Sequence, residues 1–384
     1  MDFRQIPVMI KGGTTMRQES IRRLISVGLL SVLILIFGLT SEYFFTTNNI
    51  FTLLRECSTI GIIAVGVSMV IITAGIDLST GALVGFSAML CANLLYYTNL
   101  PSGVIILIAL VVGALGGYLN GVLVTVLRIP DFIATLSTQF LFRGLALIFA
   151  IRTATGMISN KVIDNRTFLL LGGSINGVYL VTIAFFVIAI AGQLILKRTK
   201  LGVYTYAVGA NCKSAELSGI NFGRIKRTVF TLTGLCCSIS AIFLMGKIRS
   251  ATPETGIGLE FDVIAAVVVG GCAFSGGRGD VFGTVIGTLF MMVLTNGIYK
   301  YNLPTAVQLI IKGAVIVAMI IFDSVYNKYM EEKLVRRKPG GGKEGCCMSE
   351  RKILLSMNAI EKRFGDVQVL KKLIWKSPAE KCML

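Results

Sequence analysis

The sequence predicts an all-α polytopic membrane protein with about ten transmembrane helices, some of them short and broken or re-entrant. Its composition is the first observation: 54% of the 384 residues are hydrophobic and only 15% are charged, whereas a soluble domain carries about 25% charged residues. The second is that apolar runs long enough to cross a hydrocarbon layer of about 30 Å recur along the chain. The third is that glycine-rich turns interrupt several of these runs.

The apolar runs predict the spans in order, because backbone groups in lipid must hydrogen-bond within their own segment. The candidate spans cover residues 21–39, 56–74, 81–97, 103–127, 132–151, 178–196, 228–246, 261–273, 281–298 and 305–322. The eighth is short and flanked by glycines. The first has a charged front like that of a signal peptide, but bulky Phe44 and Phe45 follow it and not a small-residue cleavage site, so we keep it as a span.

Charge sets the expected orientation. The formal charge is +17 without any histidine, and Lys and Arg cluster beside the apolar runs. This pattern is typical of the cytoplasmic loops of membrane proteins, so no nucleic-acid partner is expected. An even number of spans with both termini in the cytoplasm satisfies the positive-inside rule, whereas an odd number would place one basic end outside.

Three parts follow from this reading. Residues 1–20 form a cytoplasmic N-terminal segment, 21–323 a transmembrane domain and 324–384 a cytoplasmic tail that a Pro-Gly-Gly-Gly linker sets apart. Within the domain, the inward loop 197–227 contains a short amphipathic helix closed by a glycine between two basic clusters, which predicts a docking element. The alternative is a solvated loop whose charges only fix the topology.

No catalytic site is predicted, so the chain is not expected to be an enzyme. It has no histidine to act as a base, no Gly-x-Ser-x-Gly elbow and no phosphate-binding Gly-x-x-x-x-Gly-Lys-Ser/Thr loop. The nine cysteines lack metal-like spacing, so no metal site is expected. Energy for any transport must therefore come from a gradient or from a partner.

Polar groups inside apolar runs are the candidates for a solute path, because they are costly in lipid. By position we select Asn120, Thr135, Gln139, Asn296 and Gln308, with Asp77 near a gate. Each is equally consistent with an interhelical hydrogen bond. Asp262 and Lys312 are expected to form a structural ion pair or a helix-end contact, with direct solute contact as the alternative.

Two glycine-rich turns interrupt the runs. The first extends from Gly75 to Gly81, and the second includes Gly276, Gly277 and Arg278. Glycines let helices break and backbones approach closely, and in transporters such broken segments often border the solute path. These residues are therefore predicted to be gating or structural.

Taken together, several motifs closely resemble the ribose-type sugar permeases of bacterial ABC importers, a branched-chain amino acid and monosaccharide family. They are GIDLSTG at 75–81, PDFIATL at 130–136, TKLGVY at 199–204, AVGAN at 207–211, LSGIN at 217–221, AAVVVGG at 265–271 and SGGRG at 275–279. The resemblance runs from about Phe44 to Asp323. It implies alternating access driven by partner ATPases, with a small polar solute, first of all a monosaccharide such as ribose, as cargo.

The resemblance also implies the surroundings. A multi-pass protein of the bacterial cytoplasmic (inner) membrane would pair with a second permease copy, as a homodimer or heterodimer, within membrane lipid. A cytoplasmic ABC ATPase would carry ATP and Mg, so that this chain binds no cofactor itself, and a periplasmic or lipid-anchored binding protein would deliver the solute. A permease for branched-chain amino acids or nucleosides, and an ion-coupled secondary transporter, remain alternatives.

In such importers a cytoplasmic coupling helix rests in a groove of the ATPase. The resemblance places it at 211–220, with Glu216 in polar contacts and two apolar side chains filling the groove; the residues are Asn211, Ala215, Glu216, Leu217, Ser218, Gly219 and Ile220, of which Leu217 and Ile220 are the groove-filling pair. In the tail, residues 353–370 resemble the opening strands of a sugar-importer ATPase without its phosphate loop. No nucleotide binding is expected there.

Overall fold

The structure is a computed structural model that describes residues 14–152, 158, 164–175, 177–301, 303–304, 306–315, 317–318, 321, 353–364 and 367–378, and side chains from residue 26 to 321 within these ranges. The predicted N-terminal segment 1–20 and the tail before residue 353 lie largely outside them. The chain divides into two compact units, Met1–Ser324 and Val325–Leu384.

The first unit is helical. In chain order its helices are α1 (Thr14–Thr40), α2 (Thr47–Ile72), α3 (Thr80–Tyr97), α4 (Ser102–Thr125), α5 (Asp131–Ile148), α6 (Arg166–Leu171), α7 (Leu180–Arg198), α8 (Lys200–Ala210), α9 (Cys212–Leu217), α10 (Phe222–Ile248), α11 (Leu259–Val269) and α12 (Val281–Lys300). A shorter helical segment follows at Ala306–Val315. A two-stranded hairpin, β1 (Ser174–Ile175) with β2 (Val178–Tyr179), joins α6 to α7.

Seven of these helices, α2, α3, α4, α5, α7, α10 and α12, are long and apolar enough to cross a membrane. The other three predicted spans fall on α1, on α11 and on Ala306–Val315. With eleven residues, α11 is only about 16 Å long and covers about half of a hydrocarbon layer. The prediction of a polytopic helical protein with short, broken segments is confirmed.

The helix α2 lies at the centre of this unit. It packs against α7, α10, α11 and α12. Most residues in the apolar part of α2 are buried, whereas most of those in α4 and α5 are not. A helix that is apolar all round belongs inside a bundle, whereas α4, α5 and α7 present large side chains such as Leu107, Phe140 and Val187 outward. The outer helices therefore supply the surface that faces lipid or another chain.

Small residues bring α4 and α10 together. Gly113, Gly117 and Gly121 recur every fourth residue on one face of α4, opposite Gly234 of α10. A Cβ added at Gly117 would overlap the carbonyl of Phe230, and one at Gly234 would overlap that of Gly113. This is the close backbone approach that small residues at every fourth position allow in membranes, and it fixes the face of α4 that carries Asn120.

The second unit contains an antiparallel pair, β3 (Ile353–Phe364) and β4 (Val367–Pro378), in which Phe364 lies opposite Val367. These strands cover the segment whose sequence resembles the start of an ATPase domain. That they bind no nucleotide stays a prediction.

Candidate functional site

One face of α5 carries polar side chains that mark positions along the bundle. Thr135, Gln139 and Arg143 follow Asp131 at steps of four residues, so the four lie on one side of the helix. At 1.5 Å per residue they lie about 6, 12 and 18 Å from Asp131 along the axis. The contacts of these four side chains therefore show how far along α5 each neighbouring segment lies.

The first of these positions is the N-terminal end of α5, at Asp131. Asp131 forms a hydrogen-bonded ion pair with Lys226 of α10, and Lys226 is only 3% exposed. The ammonium group also lies 5.8 and 5.9 Å from the ring centroids of Phe222 and Phe230. Gly75 packs against the pair so closely that a Cβ would overlap the Asp131 carboxylate. The ion pair thus covers the beginning of the segment that separates α2 from α3.

This segment, residues 73–79, runs along α5 away from Asp131. Its Leu78 N–H donates to Thr135 Oγ1 over 3.1 Å. Buried Asp77 accepts, through Oδ1, hydrogen bonds from the Ser79 backbone N–H at 2.9 Å and from the Ser79 hydroxyl at 2.7 Å. An aspartate that bonds the backbone two residues on holds a tight turn. This turn leads directly into α3, which begins at the next residue, Thr80.

Asn120 of α4 joins this turn to α5. Its side-chain amide donates to Ser79 Oγ over 2.8 Å, and its Oδ1 accepts from the Thr138 hydroxyl over 2.6 Å. Asn120, Thr135 and Asp77 are all buried. The structure therefore brings three predicted solute-path residues into one network, where they act as interhelical and turn hydrogen bonds.

The segment between α10 and α11, residues 249–258, approaches the same face of α5 further along. Arg143 Nη1 donates to the carbonyls of Pro253 and Thr255, at 2.6 and 2.8 Å. A Cβ at Gly85 of α3 would overlap the Thr255 carbonyl. This second interruption therefore lies between α3 and α5, and α11 begins from it.

Gln139 marks the depth at which α11 starts. Its side-chain amide donates to Glu260 Oε1 over 3.2 Å. A Cβ at Gly81 would overlap Glu260 Oε2 and the carbonyl of Gly256. Since Gly81 lies in the first turn of α3 and Glu260 in the first turn of α11, the two helix N-termini meet beside Gln139.

Glu260 was missed from the sequence. It is 3% exposed, and neither its Oε2 nor Thr80 Oγ1 has a hydrogen-bond partner among the described residues. In the sequence, Glu260 precedes an apolar run and looks like an ordinary acidic residue of a first helical turn. The available signal was that the run is too short to cross a membrane, which places its first turn inside the bundle.

The other predicted polar residues lie elsewhere. Asn296 exchanges hydrogen bonds of 3.1 Å with Asn49 of α2, and Gln308 donates to the nearby Leu303 carbonyl over 2.8 Å, so neither joins the network on α5. Lys312 Nζ lies 3.0 Å from Asp262 Oδ2 and ties the segment Ala306–Val315 to α11. Among the side chains that the structure describes, no group of three His, Cys, Asp or Glu could hold a metal ion.

The second glycine-rich turn meets α2 and α8 through backbone atoms. Gly276 and Gly277 have φ of +77° and +69°, and Gly277 N–H donates to the Ile72 carbonyl over 2.8 Å. Gly209 of α8 lies against that same carbonyl, where a Cβ would overlap it. We call Ile72, Gly209, Gly276 and Gly277 the glycine junction. Arg278 is exposed, and its carbonyl accepts from Ala273 N–H at 3.2 Å.

The predicted docking helix is α9, which is only six residues long. Asn211 caps its start by accepting from Ser214 N–H at 3.0 Å, and Gly219, at φ +81°, lets the chain reverse so that Ile220 N–H donates to Ala215 O over 3.0 Å.

Exposure separates the side chains of this segment. Leu217 is 91% exposed, and Glu216, Ser218 and Gly219 are exposed beside it. Ala215 is buried, and Ile220 packs against the helical core. Of the two apolar side chains expected to reach a partner, only Leu217 points away from the helical unit. Burial and the neighbouring Glu216 carboxylate raise the pKa of the Cys212 thiol, which favours its unreactive protonated form.

Comparison with known proteins gives one consistent group. Residues 49–320 match the family model described as branched-chain amino acid transport system / permease component. The ribose import permease protein RbsC of Escherichia coli (strain K12) is 37% identical over 300 residues, which cover 77% of this chain and 91% of that one. RbsC of Bacillus subtilis (strain 168) is 36% identical over 299 residues, 77% of this chain and 90% of that one.

The D-allose transport system permease protein AlsC of Escherichia coli (strain K12) is 32% identical over 301 residues, 78% of this chain and 91% of that one. Among solved structures, an inward-facing metal-chelate type ABC transporter aligns with a TM-score of 0.44 at 14% identity, over 83% of this chain and 99% of that one. That likeness is too weak to add to the family match.

Proposed function

Because this chain belongs to the branched-chain amino acid transport system / permease component family, we propose that it is the membrane-spanning permease of an ABC importer for a small polyhydroxy solute. A monosaccharide such as ribose is the first candidate, since relatives at 37% and 32% identity are named for ribose and D-allose. Transport is by alternating access, and ATP hydrolysis takes place on a partner chain.

The observation that carries the proposal is the connection between α9 and the first helix interruption. The helix α8 directly precedes α9, and Gly209 of α8 lies against the Ile72 carbonyl at the end of α2. Residues 73–79, which hold Asp77 and Ser79, begin at the next position. A partner that displaces α9 therefore acts on the interruption through rigid backbone contacts, as a two-state transport element requires.

In this proposal α9 and both chain termini face the cytoplasm of a bacterial inner membrane. The ATPase, with its ATP and Mg, binds at Leu217 between the basic clusters of 197–227, and the solute-binding protein docks on the opposite face. The outward surfaces of α4, α5 and α7 are available to lipid and to a second permease copy, the same or different. The distribution of Lys and Arg supports this orientation.

Branched-chain amino acids are the second solute class, because the family description names them. The test is uptake into proteoliposomes that contain the chain, a partner ABC ATPase and the matching binding protein. We expect ATP-dependent accumulation of one of D-ribose, D-allose and D-xylose. Accumulation of leucine alone would replace the sugar with an amino acid, and ion-driven uptake by the isolated chain would contradict an ABC importer.

The docking role of α9 has its own test. Leu217→Arg is expected to abolish ATP-driven uptake, because it places a charge on the one strongly exposed apolar side chain of α9, while the fold is unaffected since Leu217 makes almost no internal contact. Leu217→Met is the conservative control and should retain uptake. In a Ser218→Cys variant without Cys346, Cys347 and Cys382, labelling from the cytoplasmic side only is expected; labelling from outside would overturn the orientation.

A further inference from the structure

Two helix N-termini meet in the middle of the bundle. Gln139 is the ninth of the 18 residues of α5, about 12 Å along a helix of about 27 Å. Beside it begin α3, at Thr80, and α11, at Leu259. Helices that begin at this depth leave unpaired backbone N–H groups and a positive dipole end inside the protein. In transporters, such discontinuous helices surround the solute site.

Each of these two helix starts holds a buried side-chain atom with unused hydrogen-bonding capacity. Glu260 is 3% exposed and Thr80 is 1% exposed, yet Glu260 Oε2 and Thr80 Oγ1 have no partner in the described part of the chain. Buried polar atoms are almost always satisfied, because an unsatisfied one costs free energy. Glu260 Oε1, by contrast, accepts from Gln139. The backbone N–H groups of Gly258 and Glu260 also interact with this carboxylate, but Oε2 has no partner at hydrogen-bonding distance and angle among the described residues.

We infer that Glu260 and Thr80 form a subsite that binds a hydroxyl group of the transported solute at the midpoint of its path. The inference rests on the proposed function and names two residues that contact its polyhydroxy solute. A hydroxyl both donates and accepts hydrogen bonds, so it can donate to the free carboxylate oxygen and accept from the threonine hydroxyl at the same time.

Glycine positions make this arrangement possible. A Cβ at Gly81 would overlap Glu260 Oε2 and the Gly256 carbonyl, and one at Gly256 would overlap the Gly81 carbonyl. The close approach of α3 to the segment before α11 therefore requires glycine at both positions. Arg143 holds that segment in place through the carbonyls of Pro253 and Thr255. The subsite is therefore built on backbone that side chains of α5 position.

Thr80→Val tests the subsite without a structural penalty. The hydroxyl makes no hydrogen bond in the described structure, so its replacement by an isosteric methyl should leave the melting temperature unchanged or raised. In the complete importer we expect solute moved per ATP hydrolysed to fall about tenfold, the loss of one good hydrogen bond. Glu260→Gln should act in the same direction, because Gln139 donates to the side-chain oxygen and so leaves the new NH2 group, a donor in place of a charged acceptor, at the position of Oε2.

Deoxy sugars give a readout that a structural role would not change. Wild type is assayed with whichever of D-ribose, D-allose and D-xylose it accumulates, and with the monodeoxy analogues of that sugar, each at a concentration that saturates the binding protein. One analogue should be moved about tenfold more slowly than the parent sugar, since it lacks the hydroxyl that reaches the subsite. In both variants this discrimination should fall to within about twofold.

The outcomes separate the two proposals. If wild type accumulates no sugar with ATP, the proposed function fails. If wild type transports a sugar and both variants keep its rate and its discrimination, the function stands and the subsite is overturned; should Glu260→Gln not reach the membrane, Thr80→Val decides alone. Glu56→Gln is the matched control, because its carboxylate pairs with Lys247 elsewhere, and it should keep wild-type discrimination.

Discussion

Two interruptions of the helices lie along α5, and they are built alike but bonded differently. Residues 73–79 separate α2 from α3, and 249–258 separate α10 from α11. Each has, as its first or second residue, an exposed non-glycine residue in the left-handed region, Ala74 at φ +56° and Arg249 at φ +57°, and each ends at a helix N-terminus. They approach the middle of α5 from opposite ends.

The difference lies in their polar side chains. Inside the first interruption, Asp77 and Ser79 bond to each other, and Asn120 and Thr135 bond to this segment from neighbouring helices. The second interruption is held from outside, by Arg143 on its carbonyls, and it leads to Glu260 with one unpaired oxygen. Polar side chains that bond to one another hold the backbone in one conformation, whereas a polar atom without a partner can bond to a ligand. The first interruption is therefore structural, and the second leads to the place where recognition occurs.

Removing the ion pair over the first interruption should have the largest effect. Asp131→Ala leaves the buried Lys226 ammonium without its anion, so we expect a loss of about 3–5 kcal/mol in the free energy of unfolding, measured by SDS titration in mixed micelles. Adding Lys226→Met should recover most of that loss, because no buried charge remains. A loss below about 1 kcal/mol for Asp131→Ala would mean that the pair is solvated.

Two glycines of the second interruption form a matched pair. Gly256 and Gly258 both have φ +82°, but only Gly256 lies against backbone, whereas a Cβ at Gly258 meets nothing within 4 Å. Gly258→Ala should cost about 1 kcal/mol of left-handed strain. Gly256→Ala should cost about 2–4 kcal/mol, since overlap adds to the strain. Equal costs in the same titration would contradict the close approach of this segment to α3.

Neighbouring residues at the end of the first interruption should respond differently. Ser79→Ala removes the hydroxyl that donates to Asp77 and accepts from Asn120, so we expect a loss of about 1 kcal/mol at the usual strength of membrane-protein hydrogen bonds. Thr80→Val, one residue further, should cost nothing. The same titration measures both, and a comparable loss for Thr80→Val would show that its hydroxyl is bonded.

The smallest expected effect concerns the two left-handed residues. Ala74→Gly and Arg249→Gly each relieve backbone strain, partly offset by the greater freedom of glycine in the unfolded chain, so each should stabilise by about 0.5 kcal/mol. Both side chains are exposed, so little packing is lost. A destabilisation at one position only would reveal that its side chain has a role that the other lacks.

Much of this architecture follows from hydropathy alone, because the cost of unpaired backbone in lipid leaves long apolar runs no alternative to a helix. All ten predicted spans fall on helices as far as their residues are described, and α11 is two residues shorter than the span predicted for it. What hydropathy cannot show is depth. Segment 249–258 reads as an external loop, although it enters the bundle, so the shortness of the apolar run after it is the one signal in the sequence that points to a buried Glu260.

The sequence also does not show which polar residues contact each other across neighbouring helices. Asn120, Thr135, Gln139, Asn296 and Gln308 all meet the criterion of a polar residue in an apolar run. In the structure Asn120 and Thr135 contact the first interruption and Gln139 contacts the start of α11, while Asn296 and Gln308 lie elsewhere. Nor does the chain order pair Asp131 with Lys226, which are 95 positions apart. Such pairs depend on which helices are neighbours, and periodicity along one helix does not contain that information.

The glycine junction has a consequence for how force travels. Gly209, Gly277 and Ile72 touch through main-chain atoms only, so the contact has no rotamers that could absorb a displacement. A displacement of α8 and α9 is therefore passed to the end of α2 with little loss. Since Gln139 and Glu260 make none of these contacts, substitutions beside them can change which solute binds without loosening this connection.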